Sequence, residues 1–141
     1  MAKMERETQA DAAAARLKEA GLRPTRQRVE LARLLFTGMD RHVTAESLAE
    51  ESARAGVRVS LATVYNTLHQ FRSAGLLRQV VVDASRSYFD TNVGDHQHFF
   101  VENEGTLIDI PGEEISVSGV PAAPPGLAVD RVDVVVRVKR I

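Results

Sequence analysis

Apolar residues recur every three or four positions through the first half of the chain, and at alternate positions through much of the second. That change of period predicts helices first and strands after. Residues 5–20 are rich in Ala, Glu, Gln, Lys and Leu, all good helix formers, and Gly21 suits the left-handed position that ends a helix. Thr25 can cap a second helix after Pro24, with Val29, Ala32, Leu35 and Phe36 at helical spacing and Gly38 as its stop. Thr44 can cap a third, on which Ala45, Leu48, Ala49 and Ala53 share a face before Gly56. Ser60 can cap a fourth, where Leu61, Val64, Leu68 and Phe71 form the apolar stripe and Gly75 ends the run. Beyond it, strand-like runs at 76–82 and 87–90 flank the turn Asp83-Ala84-Ser85-Arg86. A second hairpin pairs 98–101 with 106–110. Residues 127–138 alternate, with Val132, Val134, Val136 and Val138 on one face. Residues 111–126 hold four of the five prolines and have room for at most a short helix or strand.

A helix over 45–55, a short Gly-containing link, a helix over 61–74 and a hairpin follow the order of a winged helix-turn-helix. The expected architecture is α+β. An N-terminal winged helix-turn-helix DNA-binding domain occupies 1–91, and a small β-rich domain with antiparallel or mixed strands occupies 92–141. In such a motif the second helix enters the major groove with its N-terminal residues against base edges. Ala62, Thr63, Tyr65, Asn66 and Thr67 point away from the predicted stripe. Asn can pair with adenine, while Thr and Ala can touch a thymine methyl. Arg23, Arg26 and Arg28 stand where they can meet phosphates, and Arg86 stands at the wing tip. With Ser60 at the helix start, Arg23, Arg26, Arg28, Ala62, Thr63, Tyr65, Asn66 and Arg86 are the candidate DNA contacts. A polar helix face and three nearby arginines are also what a solvated surface shows, and spacing alone leaves both readings open.

Composition narrows the class. At 141 residues and 44% hydrophobic content, the chain can build one compact domain or two small ones. No apolar run approaches the ~18 residues that cross a bilayer, and the start lacks the basic-then-apolar order of a signal peptide. The chain contains no cysteine, which excludes disulfides, thiolate zinc sites and cysteine nucleophiles. A cytoplasmic protein without a membrane partner is expected. The net charge of −1 conceals an asymmetry: 13 Lys and Arg against 9 Asp and Glu over 1–82, then 5 against 10 over 83–141. A basic half can meet phosphate and an acidic half cations, although ordinary surface charge also produces a mild asymmetry.

Of the four histidines, His96 and His98 stand at i and i+2. On a strand they face the same way with α-carbons ~6–7 Å apart, so two imidazoles can share one metal. Asp90 precedes them, Asp109 lies on the following strand, and His42 precedes the third helix. Two surface histidines explain an isolated H-x-H equally well, but nearby carboxylates suit iron, manganese or zinc, which accept mixed imidazole and carboxylate ligands. His69, beside Leu68, reads as structural or solvent-facing. There is no G-x-S-x-G, P-loop or H-E-x-x-H, so an enzyme is not expected. A metal-dependent enzyme using the H-x-H pair as a Lewis-acid site remains an alternative.

These residues also carry a resemblance. Leu22-Arg-Pro-Thr-Arg-Gln-Arg, His42-Val-Thr-Ala-Glu-Ser-Leu, Ser60-Leu-Ala-Thr-Val-Tyr-Asn-Thr-Leu, Phe71-Arg-Ser-Ala-Gly-Leu-Leu, Tyr88-Phe-Asp-Thr-Asn, Asp95-His-Gln-His-Phe-Phe and Arg131-Val-Asp-Val-Val-Val-Arg are similar to the ferric uptake regulator (Fur) superfamily. The likeness runs from about residue 16 to 141. Asn66, Asp90-Thr91-Asn92 and the 132–137 segment most resemble its iron response regulator (Irr) branch. That resemblance implies a homodimeric repressor, sometimes an activator, of iron and haem genes. It would bind an AT-rich palindrome in double-stranded DNA when iron or haem is scarce and leave it when haem binds. Tyr65 matches the superfamily's recognition-helix tyrosine, whereas Asn66 replaces an arginine of many relatives and implies a different base preference.

The superfamily's regulatory site maps onto His42, Asp90, His96, His98 and Asp109, implying a single site for Fe²⁺, Mn²⁺ or Zn²⁺. A second metal site maps onto Asp95, Gln97 and Ser116 and is expected to be lost. The four-cysteine zinc site and the cysteine-proline haem motif are absent. Haem would therefore take His96 or His98 as its axial ligand, with His42 as a further option, though Gln97 interrupts the histidine triplet of many Irr proteins. Segment 111–126 replaces a longer dimerisation helix, which shifts the expected dimer contact towards 127–138. The alternatives are a Fur-like repressor that requires Fe²⁺ or Mn²⁺ as corepressor, and a haem carrier that does not bind DNA.

Overall fold

Side-chain caps start three of the four helices in the computed structural model, which describes residues 2–141. The helices are α1 (Ala2–Glu19), α2 (Arg26–Leu35), α3 (Ala45–Arg54) and α4 (Leu61–Ser73). The Thr25 hydroxyl accepts from the Arg28 backbone N–H, and Ser60 accepts from Thr63. Thr44 and Ser47 cap reciprocally at 3.0 and 2.9 Å, satisfying two amide donors that the first turn of α3 would otherwise leave unpaired. At the far end of α4, Gly75 adopts φ +82°. Its N–H donates to the Arg72 carbonyl and that of Leu76 to the Phe71 carbonyl, the two bonds of a Schellman stop.

The chain divides into two compact units, the first ending at Val93 and the second starting at Gly94. In the first, α1 packs on α2 and α3 on α4 around Leu17, Leu31, Leu35, Leu48, Val64, Leu68 and Phe71, all at 0% exposure. Burying each such side chain is worth roughly 1.5–3 kcal/mol relative to leaving it in water. The unit's sheet comprises β1 (His42–Val43), β2 (Arg78–Asp83) and β3 (Arg86–Asp90) in the order β1-β3-β2 with antiparallel pairing. In the second unit, β4 (His96–Val101) lies between β5 (Thr106–Pro111), antiparallel to it, and β6 (Val135–Val138), parallel to it. The architecture is therefore α+β, with helix-turn-helix and hairpin first and a small mixed sheet after. Among the described residues, no helix is long and apolar enough to cross a membrane.

Three details depart from the periodicity. Leu61 is 49% exposed and Thr67 only 5%, so the inward face of α4 is Val64, Thr67, Leu68 and Phe71, and Thr67 does not point outward as expected. This is the i, i+3, i+4, i+7 set of one helix face, rotated away from Leu61. On α3 the buried residue is Ser52 rather than Ala53, its hydroxyl satisfied by the Ala49 carbonyl at 2.8 Å. The alternation over 127–138 yields a strand only at β6. Just before it, Gln97 Oε1 accepts from Val134 N–H at 2.7 Å and Gln97 Nε2 donates to the Val132 carbonyl at 3.3 Å. A side chain thus takes hydrogen bonds that a longer strand would give to a neighbouring backbone. Segment 111–126 starts with the last residue of β5, forms one 3₁₀ turn at Gly112–Glu114, and is otherwise irregular.

Candidate metal and nucleic-acid sites

In the first unit, β1 pairs with β3 so that His42 stands opposite Asp90. Asp90 is fully buried. One oxygen accepts the Asn92 N–H at 2.9 Å and the other lies 3.1 Å from His42 Nε2. A buried carboxylate is costly unless a cation or several donors face it. β1 is only two residues long, and Arg41 beside it provides the anchor. Its backbone exchanges hydrogen bonds with Thr91, and its guanidinium grips both Glu51 oxygens at 3.0 and 2.6 Å and the Leu34 carbonyl at 2.9 Å. The hydrogen-bonded Glu51 carboxylate pushes the Arg41 pKa further up, so this anchor is permanently charged.

In the second unit, the two-residue repeat of β4 puts His96 and His98 on one face, and the β4–β5 register sets Asp109 opposite His98. The Nε2 atoms of His98 and His96 lie 3.4 and 3.6 Å from the same Asp109 oxygen, and the ring centroids are 4.6 Å apart. His98 is 1% and His96 4% exposed. His96 Nδ1 sits 2.8 Å from the Gly94 carbonyl. A carbonyl oxygen can only accept, so Nδ1 carries the hydrogen, and in the neutral ring Nε2 presents its lone pair. Ligands each ~2.0–2.1 Å from one ion stand about 2.9–3.4 Å apart, so each imidazole nitrogen already lies close to ligand spacing from the Asp109 oxygen. Imidazole nitrogens with carboxylate oxygens fit iron, manganese or zinc. Between the histidines, Gln97 is engaged with the backbone of residues 132 and 134, which removes it from any donor set.

The outward face of α4 carries exposed Ala62, Tyr65 and Asn66, with Thr63 half-buried. Ser60 acts as the cap, and its hydroxyl donates to that of Thr63 at 3.0 Å. Arg23, Arg28, Thr63, Asn66 and Gln70 line a cleft of about 460 Å³ along this face. Arg28 is held against it, with Nε and Nη2 donating to Gln70 Oε1 at 3.2 and 3.1 Å and Nη1 to the Arg23 carbonyl at 3.0 Å. Arg26 lines a separate cleft with Arg58. Gln70 was not singled out by the sequence reading. Its position one turn beyond Asn66, on the same helical face, was the available signal.

Arg86 lies at the β2–β3 turn but is engaged there. Its guanidinium forks onto one Asp83 oxygen at 2.8 and 2.5 Å, while Ser85 donates its N–H and hydroxyl to the other, both at 2.9 Å. The Arg86 hydrogen bonds hold the Asp83 carboxyl well below the usual carboxylate range. A depressed folded value means the pairing is fully present above the ordinary Asp pKa and is lost only as pH falls through the lower folded value. A ¹³C carboxyl titration should find Asp83 still ionised where a free Asp is half protonated, and Arg86→Ala should bring its midpoint back towards the ordinary value. An ordinary midpoint in the unsubstituted protein would refute the pairing.

A sequence model described as the Ferric uptake regulator family matches residues 19–123. Over 100 residues the chain is 35% identical to the ferric uptake regulation protein of Pseudomonas aeruginosa, covering 70% of this chain and 75% of that protein. Over 93 residues it is 37% identical to the peroxide operon regulator of Bacillus subtilis, covering 66% of this chain and 63% of that one. Among solved structures, the P. aeruginosa ferric uptake regulator with manganese superposes with a TM-score of 0.68 at 29% identity, covering 91% of this chain and 97% of that one. The Vibrio cholerae ferric uptake regulator gives 0.70 at 25% identity, covering 90% and 98%.

Proposed function

Because this chain belongs to the ferric uptake regulator family, we propose that it is a DNA-binding transcription regulator whose operator affinity is set by a divalent cation. The observation that carries the metal half of this reading is the convergence of two buried imidazoles on Asp109, with the His96 tautomer fixed for ligation. Fe²⁺, Mn²⁺ or Zn²⁺ would be held by His42, Asp90, His96, His98 and Asp109. A bound cation supplies concentrated positive charge, which suits a buried carboxylate such as Asp90. Donors from both units on one ion would couple ligand binding to the placement of α4, the element proposed to read the major groove. Contacts are assigned to Arg23, Arg26, Arg28, Ser60, Ala62, Thr63, Tyr65 and Asn66. Arg86 can add a phosphate contact in competition with its pairing to Asp83.

The homodimer is proposed to form on the second unit. Ile108 and Val136, both exposed, flank Phe99 on one face of its sheet, giving an apolar strip of the kind that a second copy covers. A haem-released, Irr-like mode has its own support: the chain lacks a thiolate, and His96 and His98 form a buried pair of imidazoles, a common axial-ligand type. One experiment separates the modes. Binding to an AT-rich palindromic duplex is followed by anisotropy at fixed salt with Mn²⁺, with chelator and with haem. Mn²⁺-dependent binding abolished by chelator supports the corepressor mode. Binding that survives chelator and is lost with haem supports the Irr-like mode. Affinity indifferent to all three would end the sensing proposal.

A further inference from the structure

His69 lies one helical turn beyond Tyr65 on α4, and the two rings meet edge-on with centroids 4.5 Å apart at 61°. On its other side His69 meets Phe89 at 5.2 Å and 90°. Phe89 is 1% exposed and fixed in the core of the first unit, whereas Tyr65 is 52% exposed on the outward face of α4. His69 Nε2 is buried and has no hydrogen-bond partner. The three rings therefore form a stack from rigid core to solvent-facing phenol, with the imidazole in the middle.

We infer that His69 is a positioning residue for base recognition. Backed by Phe89, it holds the Tyr65 ring in the orientation in which the phenol meets the groove. The physical gain is preorganisation: an exposed tyrosine on a helix otherwise loses rotamer freedom on binding, and that loss subtracts from affinity at the base it touches. Edge-to-face aromatic pairs prefer the geometry seen here, which restricts the phenol before DNA arrives. The inference rests on the proposal that α4 reads DNA, and it extends that proposal to a residue assigned no base contact of its own.

The test uses the full-length protein in selections from a randomised duplex library, with thermal midpoints measured in parallel. His69→Leu removes the ring but keeps apolar bulk; His69→Phe keeps the ring and removes the orphan nitrogen. His69→Leu should lose roughly three- to ten-fold in the ratio of specific to non-specific affinity. The loss should be confined to the base positions that Tyr65→Ala also erases, and the double variant should be no less selective than Tyr65→Ala alone. His69→Phe should select as the unsubstituted protein does. Unchanged selectivity in His69→Leu, a loss in His69→Phe equal to that in His69→Leu, or fully additive losses in the double variant would overturn the inference. An unsubstituted protein that selects no sequence would instead overturn the DNA-binding reading beneath it.

Discussion

His98→Ala is expected to weaken Mn²⁺ binding by at least ~100-fold, since deleting a direct ligand should exceed the loss seen when a ligand's supporting partner is removed. His98 is central to its donor set. It lies on the middle strand of the second sheet, is 1% exposed and faces Asp109 at 3.4 Å. Removing a buried imidazole also leaves a void beside Phe100 and Val135, so loss of metal could be confused with loss of packing. Asp109→Asn resolves this. Its side chain is 40% exposed, its shape is preserved, and only its charge and one acceptor change. Both variants should fail to take up Mn²⁺ in a titration that follows free Mn²⁺ by electron paramagnetic resonance, while Asp109→Asn should keep the unsubstituted far-ultraviolet spectrum. Affinity in Asp109→Asn within about three-fold of the unsubstituted protein would remove Asp109 from the site.

Phe71→Ala should destabilise the first unit by about 3–5 kcal/mol, a large share of the ~5–15 kcal/mol that holds a typical domain together. Phe71 is 0% exposed, stacks on Phe36 with centroids 6.2 Å apart, and supplies the carbonyl that closes the Schellman stop of α4. The truncation empties the junction of α2 and α4 in the core, where helical neighbours leave little room for collapse. Urea unfolding followed by helical circular dichroism should show a lower midpoint with an unchanged slope. A loss below about 1 kcal/mol would show that this core repacks freely. Leu61→Ala on the same helix, at a side chain 49% exposed, should cost far less.

The contrast between Leu61 and Phe71 marks how far the fold is legible in the sequence. Thr25, Thr44, Ser60 and Gly75 are local signals: each fixes a helix end through atoms a few residues away, and each behaved as its chemistry requires. Which of Leu61 and Thr67 turns inward is not local, because it depends on how α4 is rotated against its neighbours. β1 was invisible for a similar reason. A two-residue strand has no period, and it exists because Arg41 and Thr91 clamp it to the chain 50 positions later. The histidine pair was legible as an i, i+2 spacing in a strand-like run. The Gly94 carbonyl that sets the His96 tautomer was not, since nothing in the residue type of a glycine announces it. The pairing of Arg86 with Asp83 was within reach, because the two lie across the predicted turn, yet the isolated arginine invited a phosphate reading instead.

The parallel seam between β4 and β6 has a thermodynamic consequence for the stretch that connects β6 to the preceding 3₁₀ turn. That stretch runs over about twenty residues, from Ile115 to Val134, with no regular structure of its own. Loop-closure entropy grows only with the logarithm of length, so doubling such a stretch costs about 0.6 kcal/mol. Evolution can therefore lengthen, shorten or decorate it at little cost while β6 stays docked. The seam depends far more on its two ends: the short valine-rich strand and the amide of Gln97 that catches the chain just before it.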